Sequence, residues 1–426
     1  MATPFWYNAA LFIIKPLYRS RIKKRADNDA QYQQECLERF GPFQPVKNTQ
    51  AIWFHVVSVG ETNAAQPLIE HYLKAGHPVL VTNTTKTGQA RAKSLFLKAP
   101  YESLFQAVYL PADQKTLVRA FIEKYQPKML ALVETELWPN LIDQAKQLNI
   151  PRLLLNARLS EKSAKGYGKV SSLTVPMLQG LNQVLAQDQA TLSRFIDLGA
   201  NSQSSQVVGS IKFDIHAPES FIAQAAKLKD DWSLMGRKII TIASTHAPEE
   251  QKLLSALKPY LQQHPEVLCI VVPRHPERFD EVFAEIQKLN LQTQRRSLAQ
   301  TIQADTQVYL ADSMGELWLW LALSQACFVG GSLNEPGGGH NILEPIALNV
   351  PTVLGKNYFN FQSIVDEFVA ANAVVVAEDF EQAAVALMSL IQDVGSAQAL
   401  NAAAQVIMRK NTGSLQKHIQ VIDQYL

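Results

Sequence analysis

Two stretches of this chain combine residue types that could carry group-transfer chemistry. The first is Ser58-Val59-Gly60-Glu61, which places an acid just beyond the apolar run AIWFHVVS that starts at Ala51. A carboxylate at a strand end can accept the proton of an attacking hydroxyl. An acid in the first turn of a helix also meets the positive end of the helix dipole, and the sequence leaves the two uses of Glu61 evenly matched. The second stretch is GGSLNEPGGGHNILEP, Gly330 to Pro345. Its five glycines permit close backbone approach to a ligand. The residues from Asn341 read as the first turn of a helix whose free N–H groups suit a phosphate. Glu344, in that turn, suits a ribose diol rather than a phosphate. A tight glycine turn feeding a helix explains the same residues without a ligand, but the glycines beside Asn341 and Glu344 favour a nucleotide. Neither a G-x-G-x-x-G after the first strand nor a P-loop is present.

Other polar residues are less specific. Lys212 and Arg274 could offset phosphate or developing negative charge, though each is also an ordinary surface cation. Glu134 and Glu136 precede Pro139, which marks a helix start, so dipole compensation accounts for them equally well. His246 and His275 lack a third partner at metal-ligand spacing, and no metal is expected. Asp27-Asn28-Asp29 reads as a solvated turn.

These residues need elements to hold them. Short apolar runs begin at Ala51, His77, Met129, Arg152, Asn182 and Ser205, and again at Lys238, Glu266, Thr306, Ala326, Pro351 and Asn372. Near-continuous apolar strands alternating with helical stretches predict parallel sheets covered on both faces. The boundary is expected in DIHAPESF after Asp214, giving two doubly wound α/β domains. Ligands of such sheets bind beyond the carboxyl ends of the strands, and the candidate residues fall at those ends.

Composition narrows the class. Of 426 residues, 47% are hydrophobic and 18% charged, which excludes wholesale disorder. Lys plus Arg number 40 against 38 Asp plus Glu, a balance unlike that of a general nucleic-acid binder. Cys269 and Cys327 sit in apolar runs and are expected to be buried thiols. The N-terminus differs from the rest. Pro4 to Leu17 reads PFWYNAALFIIKPL, followed by Tyr18 and the basic run Arg19 to Arg25. The uninterrupted apolar part is too short for a stable lone span. Trp6, Tyr7 and Tyr18 suit a bilayer interface and the cations suit anionic lipid, so membrane association is favoured over a helix docked on its own domain.

Taken in order, HVVSVGE (His55 to Glu61), TNTTKTG (Thr82 to Gly88), ETELWPN (Glu134 to Asn140), NARLSEKS (Asn156 to Ser163) and GSIKFD (Gly209 to Asp214) make a pattern. It continues through ASTHAPEE (Ala243 to Glu250), VPRHPERF (Val272 to Phe279), DSMGEL (Asp312 to Leu317) and the glycine-rich stretch. Nearly the whole chain thereby resembles the Kdo (3-deoxy-D-manno-oct-2-ulosonic acid) transferases of Gram-negative lipopolysaccharide synthesis.

The resemblance implies a GT-B glycosyltransferase with two Rossmann-like domains facing across a cleft. It places a membrane-associating segment at residues 1–28, an acceptor domain at 29–216 and a CMP-Kdo domain at 217–426. It implies inverting, metal-independent transfer of Kdo from CMP-Kdo to lipid IVA at the cytoplasmic face of the inner membrane, with no cofactor. By the same resemblance Glu61 is the proton acceptor, and Glu136 and Lys212 stabilise the transition state. Pro273, Arg274, Met314, Gly315, Glu316, Asn341, Ile342, Leu343 and Glu344 contact CMP. Another GT-B enzyme acting on UDP-sugars, or a membrane-associated nucleotide-binding module without chemistry, remains an alternative.

Overall fold

The apolar runs pair in the computed structural model, which describes residues 3–26 and 30–426; Asp27-Asn28-Asp29 lies outside the described residues. Seven strands form the first sheet: β1 Ile52–His55, β2 Val79–Asn83, β3 Phe105–Tyr109, β4 Met129–Val133, β5 Arg152–Ala157, β6 Gln183–Ala186 and β7 Ser205–Val207, in the order β3-β2-β1-β4-β5-β6-β7. Seven more form the second: β8 Lys238–Thr245, β9 Val267–Pro273, β10 Thr293–Arg295, β11 Val308–Leu310, β12 Ala326–Val329, β13 Thr352–Gly355 and β14 Val375–Ala377, in the order β10-β11-β9-β8-β12-β13-β14. The neighbouring strands pair in parallel. Successive side chains of a strand enter opposite faces. Trp53 therefore packs in one core layer while Ile52 and Phe54 pack in the other. In the second sheet Ile240 and Ile242 oppose Ile239 in the same way.

Strands β3 and β10 escape the sequence reading. Both are edge strands. β3 carries half-buried Gln106 and Ala107, and β10 is the polar tripeptide Thr-Gln-Arg. An edge strand buries less of each face and so tolerates a broken apolar run; the other two edges, β7 and β14, keep valines that the sequence reading caught.

The chain divides into Met1–Asp214 with Thr412–Leu426, and Ile215–Asn411. The sequence reading keeps residues 217–426 together, whereas the structure returns Thr412–Leu426 to the first unit. Three interactions draw it there. Ile419, Val421 and Ile422 enter the core layer that contains Ile52 and Phe54. The Asp214 carboxylate accepts the Gly413 and Leu415 N–H groups, each at 2.6 Å. His418 Nε2 accepts the Asn156 N–H at 2.9 Å, while its Nδ1 bonds the Ser414 carbonyl at 2.8 Å.

The helix Phe5–Ala26 docks on the first unit through its polar residues. The Tyr7 hydroxyl donates to buried Asp113 at 2.9 Å, and Asn140 donates to Asn8 at 3.0 Å. Burial pushes Asp113 up to about 6, against hydrogen bonds from Asn140, Tyr7 and Leu141 that pull it down. Four of its apolar residues point outward, Phe5, Phe12, Ile13 and Leu17 being 88%, 78%, 72% and 71% exposed, whereas Ile22 is buried. Among the described residues no single helix is long and apolar enough to cross a membrane. The bent pair Phe380–Gln392 and Val394–Tyr425 has the length and composition, but Ala383, Ala384, Leu387 and Met388 spend their apolar surface on the core. Cys269 and Cys327 are buried free thiols.

Candidate active site

In the first unit the neighbouring strands β1 and β4 deliver three carboxylates. β1 runs into the helix Val59–Lys74, whose N-cap Ser58 accepts the Glu61 N–H at 3.4 Å. Glu61 reaches back so that its carboxylate accepts the Val57 N–H at 2.5 Å and the Ser58 hydroxyl at 3.1 Å. This is close to a capping box, with the carboxylate taking the N–H one residue before the N-cap, so the bland use of Glu61 is realised. The helical role does not consume the carboxylate, which stays partly exposed. Burial pushes Glu61 up to about 7; the Val57 hydrogen bond opposes the shift, and the charges of Glu136 and Glu134 add to it.

Beyond β4 the backbone turns through Glu134, which has φ of +63°, an uncommon conformation for a non-glycine residue. The turn is fixed by the Glu134 N–H to the Leu155 carbonyl at 3.0 Å and by the Thr135 hydroxyl to the Arg158 carbonyl. Glu134 pairs with Lys212 at 3.0 Å. Lys212 is brought there by the turn Ile211–Phe213, which Asn156 anchors by accepting the Ile211 N–H at 3.2 Å. Glu136 accepts the Trp138 indole N–H at 3.0 Å, and burial raises its pKa, with the Glu134 charge adding. A cavity of about 340 Å³ opens beside Glu136, walled by Tyr7, Trp138, Tyr167, Leu173 and Met177. The structure thus brings Glu61, Glu136 and Lys212 into one electrostatic neighbourhood. It adds Glu134, which the sequence left as a dipole acid, and His55, which carried no signal beyond its place in an apolar strand.

In the second unit Arg274 follows β9 at the strand end. It is exposed, and its guanidinium makes no ion pair among the described residues. Glu344 lies close enough for the Arg274 charge to oppose the effect of burial, which pushes Glu344 up to about 7. Met314 is exposed and Gly315 has φ of +84°. Glu316 begins the helix Leu317–Leu323 and is held bidentately by Arg296 at 2.8 and 3.1 Å; these bonds lower its pKa. The Asn341 side chain accepts the Leu343 N–H at 3.1 Å, and Ile342 and Leu343 are buried.

Two sequence expectations about the glycine-rich stretch change. The helix is only Leu343–Ala347, so Asn341 and Ile342 precede it rather than forming its first turn. The glycines are explained by the loop's own packing. A Cβ at Gly330 would lie 2.7 Å from the Thr245 Cα, and one at Gly338 (φ +127°) would lie 2.3 Å from the Asn360 amide. The Gly331, Ser332 and Leu333 N–H groups, with that of His246, all donate to buried Glu249 at 2.7–2.9 Å. These amides are therefore occupied. Beside them His246 and His340 meet Nε2 to Nε2 at 2.8 Å, so one ring donates and the other accepts. Burial holds His340 down to about 4, with the His246 ring and Arg274 adding. Among the described residues no group of three or more His, Cys, Asp or Glu side chains is placed to hold a metal ion.

Residues 34–215 match the model of the family described as 3-deoxy-D-manno-octulosonic-acid transferase (kdotransferase). Over 99% of its length the chain is 36% identical to the 3-deoxy-D-manno-octulosonic acid transferase of Haemophilus influenzae, covering 98% of that protein. The chain belongs to the Kdo transferase family. The Kdo transferase of Bordetella pertussis is 33% identical over 91% of this chain and 90% of its own length. This Kdo transferase is therefore a glycosyltransferase, and its activity belongs to lipopolysaccharide synthesis. Among solved structures, a glycosyltransferase from Rickettsia africae superposes with a TM-score of 0.54 at 13% identity, covering 89% of this chain and 99% of that one. At that identity the likeness establishes fold alone, and the fold is GT-B.

Proposed function

We propose that this Kdo transferase moves Kdo from CMP-Kdo to lipid IVA with inversion and without a metal, at the cytoplasmic face of the inner membrane. The observation that carries the reading is Glu61: a half-buried carboxylate at a strand end, raised to about 7 and flanked by Glu136 and the Lys212–Glu134 pair. A base with a pKa near the working pH is well matched to taking the proton of an incoming hydroxyl. Glu136 and Lys212 would act on charge developing in the transition state. The CMP leaving group carries one phosphate, which a cation such as Arg274 can offset without the magnesium a diphosphate often needs. Pro273, Met314, Gly315, Glu316 and Asn341 through Glu344 would make the remaining nucleotide contacts.

Replacing Glu61 by Gln should lower transfer by roughly 10²–10⁴ while CMP binding, followed by calorimetry, is retained. Mass spectrometry of lipid IVA after incubation with CMP-Kdo reads the product and counts the units added. Near-normal turnover in the variant would remove Glu61 as base, and a UDP-sugar consumed in place of CMP-Kdo would overturn the donor. The exposed Phe12 and Ile13 support the membrane reading. Substituting both by Asp should reduce flotation with anionic vesicles several-fold; unchanged flotation would refute it.

A further inference from the structure

His55, the last residue of β1, is fully buried. Its Nδ1 lies 3.1 Å from the Thr82 carbonyl oxygen and 2.9 Å from the Thr82 hydroxyl. A carbonyl can only accept, whereas the hydroxyl can donate or accept; on the carbonyl contact we assign the ring proton to Nδ1, which leaves Nε2 as a lone pair. That Nε2 is buried and has no hydrogen-bond partner among the described residues. A buried acceptor left without a partner is destabilising. The facing charged group is Glu136, whose Oε2 is 3.8 Å away. An imidazole lone pair and a carboxylate repel, whereas an imidazole lone pair and a carboxylic O–H attract.

We propose that His55 is a positioning residue for Glu136: its Nε2 lone pair accepts the O–H of neutral Glu136 and so holds that carboxyl uncharged beside Glu61. The consequence rests on the assignment of Glu61 as base. Of its two acidic neighbours, Glu134 is compensated by Lys212 and Glu136 by a proton, so the Glu136 charge that would otherwise help to raise Glu61 is withheld and Glu61 ionises first. Other groups act on this corner too. Burial holds His55 down to about 3 and the Arg39 charge adds to this, so the ring stays neutral. The Trp138 N–H donates to the same Glu136 oxygen and favours its charged form, so burial and the His55 lone pair act against that bond.

The test is the protonated-carboxyl stretch in the infrared spectrum of the full-length protein, assigned to Glu136 by its loss in Glu136→Gln. In the wild type it should persist near neutral pH. In His55→Phe it should titrate about one pH unit lower, and the acid limb of the pH–rate profile should move upward, because ionised Glu136 raises Glu61. His55→Gln, which restores an acceptor oxygen, should return both towards the wild type. A Glu136 band that vanishes by pH 5, or that is unmoved in His55→Phe, overturns the proposal. So does ¹⁵N NMR of the wild type showing a proton on His55 Nε2, a measurement that needs no variant to fold. A shifted band with an unmoved rate profile supports the role of His55 and removes Glu61 as base, which separates the two failures.

Discussion

Each unit places a glutamate just past the first strand of its sheet, and the two have opposite fates. Glu61 follows β1 and Glu249 follows β8. Glu249 is fully buried and accepts four backbone N–H groups, so both of its oxygens are spent on holding the glycine-rich loop. Glu61 accepts one backbone N–H and one hydroxyl, remains partly exposed, and has acidic neighbours in place of further donors. Proximity to a helix start does not separate a structural acid from a reactive one. The number of donors and the sign of the neighbouring charge do.

The same substitution at both positions tests the contrast most sharply. Glu249→Gln turns one acceptor oxygen into an amino group facing N–H donors, and should cost about 3 kcal/mol or more between pH 5 and 8, read by urea unfolding. A loss below about 1 kcal/mol would break the comparison. Glu61→Gln should behave differently. Because the folded-state pKa of Glu61 is raised above its unfolded value, the wild type holds its full stability below about 4.5 and loses it as pH rises through about 7. The glutamine variant lacks this loss, so it should match or exceed the wild type in stability at pH 8 while losing transfer activity. A variant less stable than the wild type at pH 8 would make Glu61 a structural acid after all.

A smaller effect is expected where the C-terminal segment rejoins the first unit. Burial holds His418 down to about 4, below its unfolded value of 6.5. Its contribution is present above 6.5 and is lost as pH falls towards 4. His418→Asn should flatten the fall of the thermal midpoint over that window; an unchanged slope would show that other groups set it.

The apolar runs disclosed most of both sheets, because a strand covered on two faces must be apolar along its length. The half-covered edges β3 and β10 were hidden for the converse reason. Glu61, Glu136 and Lys212 were legible as types at strand ends, but the Lys212–Glu134 pair joins positions far apart in the chain and leaves no local trace. The glycine-rich stretch was visible as a special segment, yet its glycines answer to Thr245 and Asn360 and its amides to Glu249. That can be read only once those residues are neighbours. The N-terminal helix was legible as aromatic, apolar and basic; its outward-facing apolar side follows from Tyr7 and Asn8 finding Asp113 and Asn140.

Strand and helix content, the α/β class and the family pattern are local properties of residue type and order, so the sequence alone determined them. Which acid is reactive, which is structural and which proton is held where depends on burial and on charges distant in sequence. Desolvation and electrostatics act through space, and only the tertiary structure decided those.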